Sequence, residues 1–120
     1  MNAPERFNTW RWEDEDNEKR LTYIPDTKVP NAGMFELGKE DHTIGNLIRI
    51  QLLRDPAVRF AGYRVPHPLI FDAHVKVQTM DHSATPISVF VAAVEDLKNE
   101  TEVLRNEFIE AINAYKSGGM

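Results

Sequence analysis

Between Lys39 and Arg54 apolar residues recur at helical spacing on two sides of one short segment. At about 100° per residue, Ile44, Leu47, Ile48 and Leu52 share one face, and Ile50 and Leu53 fall roughly opposite. A helix on the outside of a lone domain needs a single apolar stripe. The second stripe predicts a second surface to cover it, and nothing catalytic accompanies it. Asp41, His42 or Thr43 can cap this helix, Glu40 and Asp41 suit the positive end of its dipole, and Asp55-Pro56 ends it, because proline disfavours the helical state in the residue before it. Gly45 lies inside the helix at a cost of about 1 kcal/mol relative to alanine. Either another backbone comes close to it, or it is a first-turn glycine whose cost is smaller.

A longer periodic stretch runs from Thr85-Pro86, an N-cap followed by proline at the first helical position, to Tyr115. At 1.5 Å per residue it would be ~45 Å long, against ~30 Å for a small domain. Ile87, Val94, Thr101, Phe108 and Tyr115 form one heptad row; Phe90, Leu97, Leu104 and Ala111 form the other. Such a repeat is a knobs-into-holes seam. Val91 and Ile112 flank it, and Glu95, Asp96, Glu102 and Glu110 lie off it in water. The first half reads as cover for the chain's own sheet. The second half runs past where a short sheet ends and asks for a partner helix. Leu104 and Phe108 are the expected anchors, since large apolar side chains dominate such seams. Ile50, Leu53, Phe90, Leu97 and Ile112 complete the expected interface. An obligate interface of this kind buries more than about 2,000 Å².

Strand-like composition appears at residues 6–13, 21–24, 32–37 and 58–65, and most cleanly from Phe71 to Thr79, where Phe71, Ala73, Val75 and Val77 alternate with Asp72, His74, Lys76 and Gln78. That is a strand with one buried and one wet face. Pro25–Asn31 and Asp81–Ala84 read as turns, and Pro66-His-Pro68 as an extended loop. Residues 13–20 are a charge run, either a solvated loop or an acidic binding tail.

The 120 residues suit one domain over 1–120, able to bury roughly two-thirds of its unfolded surface. A net charge of −5 argues against a large phosphate footprint. The absence of cysteine excludes disulfides, thiolate-bound zinc and thiol nucleophiles. No apolar run reaches the ~18 residues of a membrane span, and the start lacks the build of a secretory signal. A cytosolic or nuclear compartment is therefore expected. His42 beside Glu40 and Asp41 has the makings of a general base, but no nucleophile or oxyanion donor set accompanies it, and capping explains all three residues. His42, His67, His74 and His82 show no metal-ligand spacing, and no glycine pattern makes a phosphate loop. No catalytic, cofactor or metal site is predicted.

Phe35-Glu-Leu-Gly-Lys-Glu-Asp-His-Thr-Ile-Gly-Asn-Leu-Ile-Arg49 resembles the signature of the small alpha-like subunits of archaeal and eukaryotic RNA polymerases. Within it the family motif falls on Glu40, Asp41, His42, Thr43, Gly45, Asn46 and Arg49. Phe60-Ala-Gly-Tyr-Arg-Val-Pro-His-Pro68 is similar to the strand and loop that follow in that family. Met1-Asn-Ala-Pro and Asp26–Ala32 resemble its RNA polymerase II branch rather than the counterpart shared by polymerases I and III. The match spans residues 1 to about 80; beyond that only the helix pattern agrees. Trp10-Arg-Trp12 and the acidic stretch at 13–18 depart from the family. The resemblance implies an α+β fold like the dimerisation domain of the bacterial alpha subunit: a small antiparallel sheet with two helices on one face, a short one near 42–54 and a long one near 86–115. It implies a non-catalytic, nuclear assembly scaffold. Its obligate partner would be the larger alpha-like (third) subunit of RNA polymerase II. The pair would anchor the two large catalytic subunits, with DNA and RNA touched only through the complex. From the residues alone, a homodimeric binding module and a small acid–base enzyme centred on His42 remain open.

Overall fold

Four antiparallel strands and two helices make up the computed structural model, which describes Trp12 and residues 20–118. In chain order they are β1 (Leu21–Pro25), β2 (Ala32–Gly38), α1 (His42–Leu53), β3 (Val58–Arg64), β4 (Asp72–Thr79) and α2 (Pro86–Ser117). The sheet order is β1-β2-β4-β3. This is the α+β arrangement expected. The strand expected at residues 6–13 lies outside the described residues except for Trp12, which is in no strand; the charge run at 13–20 lies outside them except for Arg20.

Side chains alternate across a strand, so the register decides which face each residue joins. Tyr23 pairs with Phe35, Phe35 with Val75, and Tyr63 with Val75; one step along, Gly33 pairs with Val77 and Val77 with Ala61. Ala73, Val75 and Val77 are fully buried on this face, as the alternation of residues 71–79 predicts. Both helices lie against it: Ile48 and Leu52 of α1 and Val89, Phe90 and Ala93 of α2 join the same core as Phe35 and Leu37. The β1–β2 connection is held by the Asp26 carboxylate, which accepts from the backbone N–H groups of Lys28 (2.8 Å) and Val29 (3.0 Å). Those donors, with Lys76, hold its pKa below the usual carboxylate value.

At the start of α2, Thr85 Oγ1 accepts from the Ser88 N–H (3.1 Å) and Ser88 Oγ accepts from the Thr85 N–H (3.0 Å). This is a reciprocal capping box with Pro86 in the first turn. The 32 residues of α2 rise to ~48 Å, longer than the sheet it crosses. Its inward stripe, Pro86, Val89, Phe90, Ala93 and half-buried Leu97, stops there, and every residue from Lys98 to Gly118 is exposed. The overhang expected of this helix is therefore present.

The structure corrects one anchor. Phe90, expected at the partner interface, is only 6% exposed. It stacks on Phe35 at 4.0 Å between ring centroids, with the planes 13° apart. It shares the heptad row of Leu104, but at its level of the helix the surface on that side is the chain's own sheet. Phe90→Ala should therefore cost about 3–5 kcal/mol of folding stability. Phe108→Ala, at a bare position, should stay within about 0.5 kcal/mol. Urea unfolding of the two variants against the parent chain measures both.

Candidate protein–protein interface

The short helix is set in place by the segment from Glu40 to Arg49. Asp41 is the N-cap: its Oδ1 accepts from the Thr43 N–H at 2.9 Å, filling one of the donors a helix start leaves open. His42 caps nothing. Its Nδ1 lies 3.0 Å from the Tyr63 hydroxyl on β3, with the two rings edge to face. Gly45 is buried against the same tyrosine, where a Cβ would sit 2.7 Å from Tyr63 Cδ2. The close approach that favours glycine here is thus by an aromatic ring, not by a second backbone. Asn46 Oδ1 accepts from both Nε (3.1 Å) and Nη2 (2.7 Å) of Arg49 one turn on. Glu40 precedes the cap partly buried; desolvation first, and the neighbouring Asp41 charge second, push its pKa up. These bonds orient a helix. Among the described residues, no group of three or more His, Asp or Glu could hold a metal ion.

Seated this way, α1 turns Ile48 and Leu52 inward with Gly45 and Gln51. Leu47, expected on the covered face, is 45% exposed; Gly45 and Gln51 take the inner positions instead, so the buried arc is rotated from the one read off the apolar residues. Ile50 and Leu53 are exposed on the outer side, as expected. At the far end of the helix, Arg54 Nη1 lies 3.1 Å from both Gln51 Oε1 and Glu100 Oε1 of α2, a tie across the helix crossing.

Between the helices runs an open apolar groove of about 360 Å³, floored by Ile44, Leu47, Ile48, Val94 and Leu97 and rimmed by Lys98, Glu102 and Arg105. Leu97, expected to face a partner, is half buried: it packs on the chain's own core and also lines the groove. Beyond the groove the free half of α2 presents Leu104 (68% exposed), Phe108 (64%) and Ile112 (36%), with Ile109 and Tyr115 beside them. Ile87 and Val91 continue the exposed apolar surface toward the start of the helix. Single exposed apolar residues are ordinary, but a contiguous band along two helices marks an interaction surface. Sequence reasoning missed Leu47 as a member of this band, and it placed Val94 on the seam without naming it among the interface residues. The heptad row containing Val94 carried the signal for it; nothing local separated Leu47 from its buried neighbours.

Comparison with known proteins gives the family. The family described as the RNA polymerase Rpb3/Rpb11 dimerisation domain matches residues 32–107. Among curated relatives, DNA-directed RNA polymerase II subunit rpb11 of Dictyostelium discoideum is 46% identical over 112 residues, covering 93% of this chain and 91% of that protein. The probable RNA polymerase II subunit RPB11 of Caenorhabditis briggsae is 44% identical, covering 93% and 88%. Among solved structures, DNA-directed RNA polymerase subunit L of Thermoplasma acidophilum superposes with a TM-score of 0.66 at 24% identity, over 85% of this chain and 99% of that one, which is a likeness of fold.

Two substitutions test the seating of α1. Gly45→Ala should lower stability by about 1 kcal/mol, crowding against Tyr63 outweighing the helix-propensity gain. In a Tyr63→Leu background the same change should cost nothing, as a double-mutant cycle by urea unfolding will read. Glu40 is favoured protonated in the folded state, so its contribution falls as pH rises through its folded pKa. Glu40→Gln, fixed in the neutral form, should gain stability relative to the parent between pH 4 and 7; a flat difference would count against the burial of this carboxylate.

Proposed function

Because this chain belongs to the RNA polymerase Rpb3/Rpb11 dimerisation-domain family, we propose that it is a non-catalytic subunit of DNA-directed RNA polymerase II, in the place the Rpb11 relatives hold. Its task is to pair with the larger alpha-like, third subunit and so to scaffold assembly of the enzyme. The whole chain acts as one dimerisation domain. The relatives carry the polymerase II name, which favours that branch over the counterpart shared by polymerases I and III. As part of that enzyme the chain works in the nucleus, and it meets DNA and RNA only through the complex. The pair anchors the two large catalytic subunits.

One observation carries this reading: the inward stripe of α2 ends at Leu97, while its apolar residues continue to Tyr115. Burial of apolar surface is worth about 25 cal/mol per Å², so a matching pair of helices from a partner gains a large driving force by covering this band. Leu104 and Phe108, 68% and 64% exposed, are the anchors, with Ile112 beside them and Leu47, Ile50 and Leu53 contributing from α1. Leu97 joins from the groove floor. Glu40, Asp41, His42, Thr43, Gly45, Asn46 and Arg49 act indirectly, by fixing the angle at which α1 presents its outer side.

The test is co-expression with the larger alpha-like subunit. The parent chain should co-purify one to one. Leu104→Asp should weaken pairing by at least about 3 kcal/mol, more than a hundredfold, since a charge would be stranded in a desolvated seam. Pairing at parental strength would show the seam to be misplaced. A stable symmetric dimer of the purified chain alone at nanomolar concentration, seen by light scattering, would replace this reading with a homodimeric module.

A further inference from the structure

Among the described residues no element covers the sheet face turned away from the helices, and we propose that it is a second docking surface, taking an extended acidic segment of another polypeptide in the assembled enzyme. The register lays it out. One cross-strand row carries Ile24, Met34, Lys76 and Gly62 over β1, β2, β4 and β3; the next carries Thr22, Glu36, His74 and Arg64. Phe60, 49% exposed, reaches over Gly62, where a Cβ would lie 3.0 Å from the ring Cζ. The glycine therefore leaves room for the ring to join the apolar row of exposed Ile24 and half-buried Met34. Two shallow depressions of about 380 and 260 Å³ share Met34 and Lys76 as walls.

Charge selects the occupant. Among the described residues the larger depression is lined by Arg64, His74 and Lys76 and by no carboxylate, in a chain whose net charge is −5. Glu36 and Asp72 share the face but lie outside that lining. Among the described residues Arg64 makes no ion pair, and the half-exposed Lys76 ammonium has only Asp26, at 3.4 Å. Among the described residues His74 Nδ1 is shielded from solvent without a hydrogen-bond partner, whereas buried polar atoms are nearly always satisfied. Like-facing side chains of an extended segment recur about every 7 Å, the spacing between the two rows. Such a segment can set an apolar side chain on Phe60 and Met34 and a carboxylate over Arg64 and Lys76. Three basic side chains are too few for a phosphate track of useful strength.

This surface lies on the opposite side of the sheet from the helical interface and rests on the proposed function only for the assembly in which it is tested. The heterodimer with the larger alpha-like subunit and the assembled polymerase would each be treated with an amine-acetylating reagent and, separately, with a zero-length carbodiimide, and Lys76 followed by mass spectrometry. Acetylation of Lys76 should fall at least tenfold on assembly, and carbodiimide should join Lys76 to an Asp or Glu of another subunit. Arg64→Glu should reduce incorporation of the heterodimer into polymerase at least tenfold without weakening the heterodimer itself. Phe60→Gln, at an exposed position, should do the same through the apolar row. Equal acetylation in both states, a cross-link to Asp26 alone or to a second copy of this chain, protection by added single-stranded RNA in place of protein, or normal incorporation of both variants would each overturn the proposal. Failure of the helical seam would appear separately, as a heterodimer that does not form.

Discussion

A mismatch of length governs this molecule. The sheet that α2 crosses shields it as far as Leu97, and the helix then continues through Leu104, Phe108, Ile112 and Tyr115 with water on every side. In folded proteins most helical stability comes from packing of an apolar face rather than from propensity. The first half meets that need inside the chain, through Val89, Phe90, Ala93 and the Phe35 stack. Along the second half nothing packs among the described residues.

The polar cluster before α1 takes on a different meaning in that light. Residue by residue it has the look of acid–base chemistry: a histidine between carboxylates and a threonine. Its geometry is that of a mounting. Asp41 closes the helix start, His42 meets Tyr63, Gly45 lets the tyrosine ring lie beneath the helix, and Asn46 holds Arg49. At the other end of α1 the exposed pair of Arg54 and Glu100 reaches α2.

The elements themselves were legible because each rests on a local rule. Two-residue alternation marked β4, the Thr85-Pro86 start and heptad rows marked α2, and Asp55-Pro56 closed α1. The family motif was specific enough to give the fold and the kind of partner. What could not be read locally was which side of each helix meets which surface. Phe90 and Leu104 occupy the same heptad row, and only the extent of the sheet beneath them separates core from interface. Leu47 and Gly45 exchanged places for a related reason: a hydrophobicity count favours leucine for the inside, but Tyr63, 18 positions further along, fills the space so fully that only a glycine fits there. The bare sheet face escaped notice because Ile24, Met34 and Phe60 sit on three strands and converge only once the register is known.

The unshielded half of α2 has a consequence for the cell's economy of subunits. A copy that has not met its mate displays a long greasy strip of the sort that chaperones hold and proteolytic quality control removes. A copy paired as proposed would hide it. The amount of this chain that persists would then follow the supply of its mate rather than its own rate of synthesis, so that surplus is cleared and the two accumulate in equal numbers without any dedicated regulator.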